Sequence, residues 1–345
     1  MHVDVDTLRR MRLSALGLTA PRPDVVAAVR GLLAVQAQDL RQAEWALGSR
    51  VAGSTVADVW AAFAAGQVVR SWPMRGTLFA TTPADLRLLL TLTAERQMRT
   101  AEPRHRQLGI TPADVARAAE VARTELAGGG ALTGPELAAR WAAAGLVVAG
   151  QRTPHLYGRL AHQGLLCLGP PRGETAGGPV QAFVLLDEWA PGEPPSDRAG
   201  AVAVLVRRYL AGHGPASERD LAWWSGLTLT EVRGGFAAVR DELTEVRCGD
   251  AVLWTLGDPP PAHPDGVRAL AGFDELLLGH TDRSHVVTPD RFAAVVPGGN
   301  GVFLPVLVDD GEVVGAWKLV RGAVQVTPDS AEAREAVAVA QRFRG

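Results

Sequence analysis

Runs with helical apolar spacing, followed by two short extended runs around a turn, recur along this chain. That recurrence limits the fold more than any other feature. In the first segment, "VVAAVRGLLAVQ" and "VADVWAAFAAGQ" are helical, and "VVRSWPMRGTLFATT" reads as two extended runs. "PADLRLLLTLTAERQMR" returns to helix, with Thr82 as its cap and Pro83 at its first position. The second segment reads "TPADVARAAEVARTELAGGG", then "LTGPELAARWAAAGL" capped at Thr133, then "TPHLYGRLAHQGLLCLGP" running into a strand. "QAFVLLDEW" is the returning strand, across the glycine-rich tip "GPPRGETAGGP". The third segment has "GAVAVLVRRYLAGHG", "ASERDLAWWSGL" capped at Ser217, and "TLTEVRGGFAAVRDELTEVRCGDAVLWTL", a helix and two strands around a Gly-Asp turn.

Helix, helix, helix and hairpin is the winged-helix order, whose third helix commonly enters a DNA major groove. The expected fold is α+β: three tandem winged-helix modules in a C-shaped arrangement, with a small C-terminal β-barrel or curled sheet. The module boundaries fall at 1–108, 109–194 and 195–257. The β-rich module, 265–345, follows the linker "GDPPPAHPDG" and carries the turns "PGGNG" and "DDG" and a closing helix.

Charge is unevenly spread. Residues 1–173 hold 20 Lys and Arg against 13 Asp and Glu, a net of +7; the remainder holds 15 against 24, a net of −9. A basic first half points to an anionic partner such as nucleic acid, or to scattered surface arginine. The N-terminus lacks a signal-peptide pattern and no window of 18 residues is apolar, so a soluble, cytoplasmic and nucleoid-associated protein with no membrane partner is expected. Cys167 and Cys248 read as core thiols. Lys318 is the single lysine, so almost no amine exists to form a Schiff base.

The chain has no Walker A loop, no glycine fingerprint, no HExxH and no Gly-x-Ser-x-Gly elbow. His280 and His285, five apart, suit no common metal pair. No metal and no cofactor is expected. What remains is "VQAQD". On an extended backbone Gln36 and Gln38 point to one side, with Ala37 packing the other way and Asp39 capping the next helix. Amides are poor bases, but they orient water and hydrogen-bond to developing charge. Two solvated end-of-helix side chains are the plainer reading.

"LLAVQAQDLRQAEWALGSR", "RSWPMRGTLF" and "FDELLLGHTDRS" together resemble the AlkZ/YcaQ family of bacterial DNA glycosylases, in order and over residues 8–325. The resemblance implies hydrolysis of the N-glycosidic bond of N7-alkylguanine in double-stranded DNA. It extends to unhooking of interstrand crosslinks or removal of bulky antibiotic adducts. Gln36 and Gln38 fall on the family's catalytic Gln-x-Gln pair, which is the crosslink-repair form rather than the Gln-x-Asp form. An abasic product with no lyase cleavage is expected, from a monomer. Phe79 departs from the pattern, because many relatives carry His after "RGTL".

Other residues keep two readings each. Arg75 contacts a phosphate or a structural acid. Trp45 is a core side chain or a lesion-pocket wall. Arg140, Arg152, Arg159 and Arg172 lie in a stretch without an acid and read as DNA-backbone contacts or surface charge. Arg96, Arg99, Arg104 and Arg106 are a second basic run. His280, Asp282 and Arg283 line the cleft or brace the C-terminal module. The alternative function is a winged-helix transcription regulator, with a catalytically dead lesion-binding protein as a third possibility.

Overall fold

The computed structural model describes residues 1–175, 178–299, 301–320 and 323–344. The tip at 176–177, Asn300 of "PGGNG" and the first residue of "GAVQVTP" lie outside the described residues. The chain forms two compact units. One is discontinuous and joins residues 1–59 with 202–345; the other is residues 60–201.

The discontinuous unit begins with α1 (Val5–Ala15), α2 (Val25–Leu32), β1 (Ala34–Gln36) and α3 (Leu40–Gly48). Asp4, Asp24 and Asp39 cap the three helices, each accepting from a backbone N–H in the first turn. The first unit boundary falls inside α4 (Val56–Ala64).

The 60–201 unit contains β2 (Val69–Met74), β3 (Thr77–Thr81), α5 (Pro83–Gln107), α6 (Pro112–Leu126), α7 (Gly134–Ala143), α8 (Arg152–His162), β4 (Leu166–Thr175), β5 (Gly178–Leu185) and α9 (Leu186–Trp189). Its strands pair antiparallel in the order β3–β2–β4–β5. Thr82 caps α5 with Pro83 in the first turn, and Thr133 with Glu136 forms a capping box on α7, both as the sequence predicts. Ala118, Leu126, Leu137, Trp141, Leu156, Leu160 and Phe183 make the core under the second series. The Trp141 indole donates to the Ala118 carbonyl at 3.0 Å, so its one polar atom is satisfied inside.

The second boundary lies in α10 (Arg198–His213). Then follow α11 (Glu218–Ser225), α12 (Leu229–Ala238), β6 (Leu243–Cys248), β7 (Ala251–Leu256), β8 (Val267–Leu270), α13 (Glu275–Leu278), α14 (Pro289–Val295), β9 (Val306–Asp309), β10 (Glu312–Val320), β11 (Ala323–Thr327) and α15 (Ala331–Arg344). Ser217 and Asp220 box the start of α11. The β6–β7 hairpin turns at Gly249 (φ 55°) and Asp250, where the Gly-Asp signal sits. Among the described residues the order of three helices and a hairpin thus occurs three times, as α2, α3, α4 with β2–β3, as α6, α7, α8 with β4–β5, and as α10, α11, α12 with β6–β7.

The C-terminal sheet corrects one expectation. Its order is β11–β10–β9–β8, all antiparallel, and it is open, not a closed barrel. Four strands fall well short of the roughly eight that close a small, filled barrel. Instead α15 lies along β8 and β11 and buries Ala333, Val337, Ala340 and Phe343. That gives the sheet an apolar cover without closing it.

Candidate active site

The Gln-x-Gln pair sits where α2 hands over to α3. The handover begins with strain. Leu33 ends α2 at φ 67° and ψ −49°, the region of the positive-φ γ-turn, which side-chain-bearing residues rarely occupy. This reverses the chain into β1, whose three residues are buried. Gln36 closes the strand at 8% exposure, Ala37 is fully buried, and Gln38 is exposed. Regular strand ends at Gln36, so the two amides differ in environment: one sits in the wall and the other faces outward. Asp39 then caps α3 by accepting from the Gln42 N–H at 3.2 Å, as the sequence predicts.

α3 is held along its length by residues 269–274. The Gly272 N–H donates to Gln42 Oε1 at 2.8 Å. Trp45 Nε1 donates to the Ala269 carbonyl at 2.9 Å. Just past the helix, Arg50 donates from Nη1 and Nη2 to the two oxygens of Asp274, each at 2.9 Å. Both side chains of that pair are sealed from solvent. Arg50 also donates to the Leu16 and Ala46 carbonyls at 2.8 and 2.6 Å, so its buried donors are broadly satisfied. Gly272 tolerates no side chain, because a Cβ there would lie 2.6 Å from the Phe303 carbonyl. Near the start of α3, Arg344 donates to the Arg41 carbonyl at 2.8 Å.

The neighbouring acid, Glu275, anchors α10 and α11. It accepts from Trp224 Nε1 at 2.9 Å and meets His213 Nε2 at 3.2 Å, all three side chains being buried. Gly279 lets His213 approach: a Cβ there would lie 2.7 Å from the ring. None of Gln42, Arg50, Asp274, Glu275 or Gly272 is an expected site residue. Most of them lie in the quoted stretches "LLAVQAQDLRQAEWALGSR" and "FDELLLGHTDRS", which the structure joins through Arg50 and Asp274.

The remaining sequence-predicted residues divide sharply. Trp45 is 4% exposed, donates internally and tilts against Phe343 at 5.4 Å, which supports its core reading. One edge also lines a cavity of about 370 Å³ between Leu18, Val51, β8 and α15. Arg75 (φ 55°) and Gly76 (φ 69°) are the two-residue tip of the β2–β3 hairpin, with both φ values positive as a twisted hairpin prefers. The Arg75 guanidinium lies 5.3 Å from the ring centroid of Phe79, which is fully buried. Phe79 thus supplies packing and a cation–π face.

The acid-free stretch is ion-paired in space, with acids from elsewhere in the chain. Arg140 meets Glu125 at 3.3 Å, Arg159 meets Glu102 at 3.8 Å and Arg172 meets Glu136 at 3.1 Å. Arg152 is structural: it donates to the Val147 and Leu108 carbonyls at 3.0 and 2.6 Å and meets Asp114 at 3.3 Å. Arg140 and Arg172 remain about half exposed, and pairs of that kind exchange easily for phosphate. In the second run, Arg99 pairs with Glu95 at 3.3 Å and Arg104 bonds Gln107 at 3.0 Å.

The His280 cluster does not converge on one open site. His280 is 1% exposed, its Nε2 lies 3.0 Å from the His213 carbonyl, and burial pushes it well below the ordinary histidine range. Of its two readings, this burial supports the bracing one. Asp282 is exposed and accepts from the Ser284 N–H at 2.9 Å. Arg283 donates from Nε to the Leu277 carbonyl at 2.6 Å and stands among three aromatic rings. Among the described residues, no group of three or more His, Cys, Asp or Glu is arranged for a metal, and no helix is long and apolar enough to cross a membrane. Cys167 and Cys248 are free and buried.

Comparison with known proteins decides the class. The model of the DNA glycosylase AlkZ-like family matches residues 29–343. The chain belongs to that family. An interstrand DNA cross-link repair glycosylase of Streptomyces sahachiroi is 31% identical over 329 residues, 89% of this chain and 85% of that protein. The solved structure of the Streptomyces sahachiroi DNA glycosylase AlkZ superposes with a TM-score of 0.79 at 27% identity, covering 99% of this chain and 97% of that one. As an AlkZ-like protein this chain is a DNA glycosylase, a hydrolase of N-glycosyl bonds, and the regulator reading is not favoured.

Proposed function

We propose that this AlkZ-like protein hydrolyses the N-glycosidic bond of N7-alkylguanine and unhooks interstrand crosslinks or bulky adducts built on it. Gln36 and Gln38 hold the attacking water. The observation that carries this is their setting: an exposed amide beside a buried one, between a strained Leu33 and a helix braced at Gln42, Trp45 and Arg50. Preorganised amides of this kind help where charge develops. The cross-link repair activity named for the Streptomyces sahachiroi relative supports the substrate class.

The chemistry asks little of the protein. N7-alkylation puts a positive charge on guanine. The C1′–N9 bond breaks with its electron pair going to the base, which leaves neutral. Water bonds to C1′ and loses a proton to solvent, leaving an abasic site. Gln38 meets the substrate and Gln36 orients the water from the wall. We read the helix–helix–helix–hairpin series as winged-helix modules that present DNA to this pair, in a chain acting as a monomer. With Lys318 as the single lysine, no Schiff-base lyase step follows.

Incubation with duplex DNA containing N7-methylguanine, followed by alkali cleavage of abasic sites, tests the reading. Release of the base that depends on Gln36 and Gln38 is expected. Release unchanged in a Gln36→Ala, Gln38→Ala double variant would remove the pair from the mechanism.

A further inference from the structure

Beside the brace that holds α3 lies a cluster of four aromatic rings, three of them around one cation. Phe273 follows Gly272, the donor to Gln42, and itself takes a positive φ of 63°. Its ring lies 6.1 Å from that of Phe303, which in turn lies 6.1 Å from Phe292 of α14. Arg283 stands among them, its guanidinium carbon 4.9 Å from the Trp223 ring centroid, 5.5 Å from Phe303 and 5.9 Å from Phe292. The Arg283 side chain is fixed in place, with Nε donating to the Leu277 carbonyl at 2.6 Å and Nη1 to the Thr281 carbonyl at 3.5 Å. Trp223 of α11 is 36% exposed, and the three phenylalanines are partly exposed.

Trp223 keeps about a third of its surface open on the unit that carries Gln36 and Gln38, with the Arg283 guanidinium against its ring. Aromatic faces reinforced by arginine are how proteins stack nucleobases, and the arrangement tolerates any base because every base has a π-face. From this geometry we infer that Trp223, with Arg283, Phe292 and Phe303, is a stacking site for an unpaired, uncharged nucleobase of the substrate DNA. The charge of Arg283 selects against the lesion itself. A cationic N7-alkylguanine stacked there would face a like charge, whereas the neutral base left without its partner would not. The cluster therefore holds an unpaired neutral base rather than binding the base to be released. This rests on the glycosylase reading above, and it deepens that reading by giving the second, undamaged base its own site.

The test is equilibrium binding by fluorescence anisotropy at fixed salt. A labelled duplex with one unpaired thymine is compared with the fully paired duplex. Wild-type protein is expected to prefer the unpaired thymine by about 5- to 150-fold, the range of one stacked base. Trp223→Ala should bring that ratio close to one, and Trp223→Phe should keep most of it. A wild-type ratio near one, a Trp223→Ala protein with the full preference, or equal weakening on both duplexes overturns the proposal. Because the readout is binding, failure to release N7-methylguanine would defeat the glycosylase reading while leaving this ratio measurable.

Discussion

Each carboxylate oxygen of Asp274 accepts from a different Nη of Arg50, both at 2.9 Å, across 224 residues of sequence and with neither side chain reaching solvent. Removing one partner strands a buried charge, so Asp274→Ala or Arg50→Met should each cost about 3–5 kcal/mol. Replacing both together, with apolar residues of similar volume, should recover much of that loss. Urea denaturation checks this. Single variants losing under about 1 kcal/mol would mean that the pair does not brace α3.

Gln38 is exposed, so Gln38→Ala should leave the melting temperature where it is and lower single-turnover base release by roughly 10²-fold or more. Gln36→Ala should lower release as well, with a small loss of stability because the residue closes a buried strand. Full activity in the Gln38 variant would move the chemistry elsewhere.

The arginines of the second helix series should separate into two behaviours. Arg152→Ala removes a half-buried charge with three acceptors and should destabilise the fold by about 2–3 kcal/mol, while leaving the salt dependence of DNA binding alone. Arg140→Ala and Arg172→Ala should barely change stability. Where either residue trades its glutamate for a phosphate, the log–log salt slope should flatten by roughly 0.9. A flattened slope for Arg152→Ala would contradict the structural assignment.

Acid should destabilise the protein well above the carboxylate range. Burial holds His280 well below 6.5 and pushes His162 down to about 4. For the same leading reason His105, His155 and His285 are lowered. Below pH 6.5 the unfolded chain binds protons that the folded chain refuses, so stability falls as pH drops. For His162 the loss continues to about pH 4, where the folded state protonates too. The urea midpoint should therefore be lower at pH 5.5 than at pH 7.5, and His162→Gln should flatten the difference. A midpoint that rises on acidification has the wrong sign for this account.

Borohydride trapping on abasic DNA tests the monofunctional reading directly. No covalent adduct is expected, and Lys318→Ala should release base at the normal rate. Lys318 sits exposed on β10, opposite Gln325 of β11. An adduct lost in that variant would overturn the monofunctional reading.

Local chemistry was well advertised in the sequence. Asp39, Thr82, Thr133 and Ser217 all cap the helices they precede, because a short polar side chain beside an orphan N–H is a local event. The charge count over 139–173 could not show the partners of its arginines, since Glu102, Asp114, Glu125 and Glu136 come from helices earlier in the chain or lie just ahead of the stretch. Linear spacing also put both amides on one side, yet the strand ends at Gln36 and leaves one of them buried. The Leu33 turn was invisible because nothing in a leucine announces a positive φ. The Arg50–Asp274 pair lay in two quoted motifs, but only the folded chain brings them together.

The discontinuity of the unit that carries Gln36 and Gln38 has a consequence for synthesis. Gln42, Trp45 and Arg50 wait for Gly272, Ala269 and Asp274, which lie 224 to 230 residues later. At the usual pace of translation that interval is on the order of 10 to 50 seconds. A nascent or prematurely ended chain therefore displays the two glutamines without the scaffold that aims them. Completion of the brace around α3 therefore has to follow the synthesis of residues 269–274, long after α3 itself has been made.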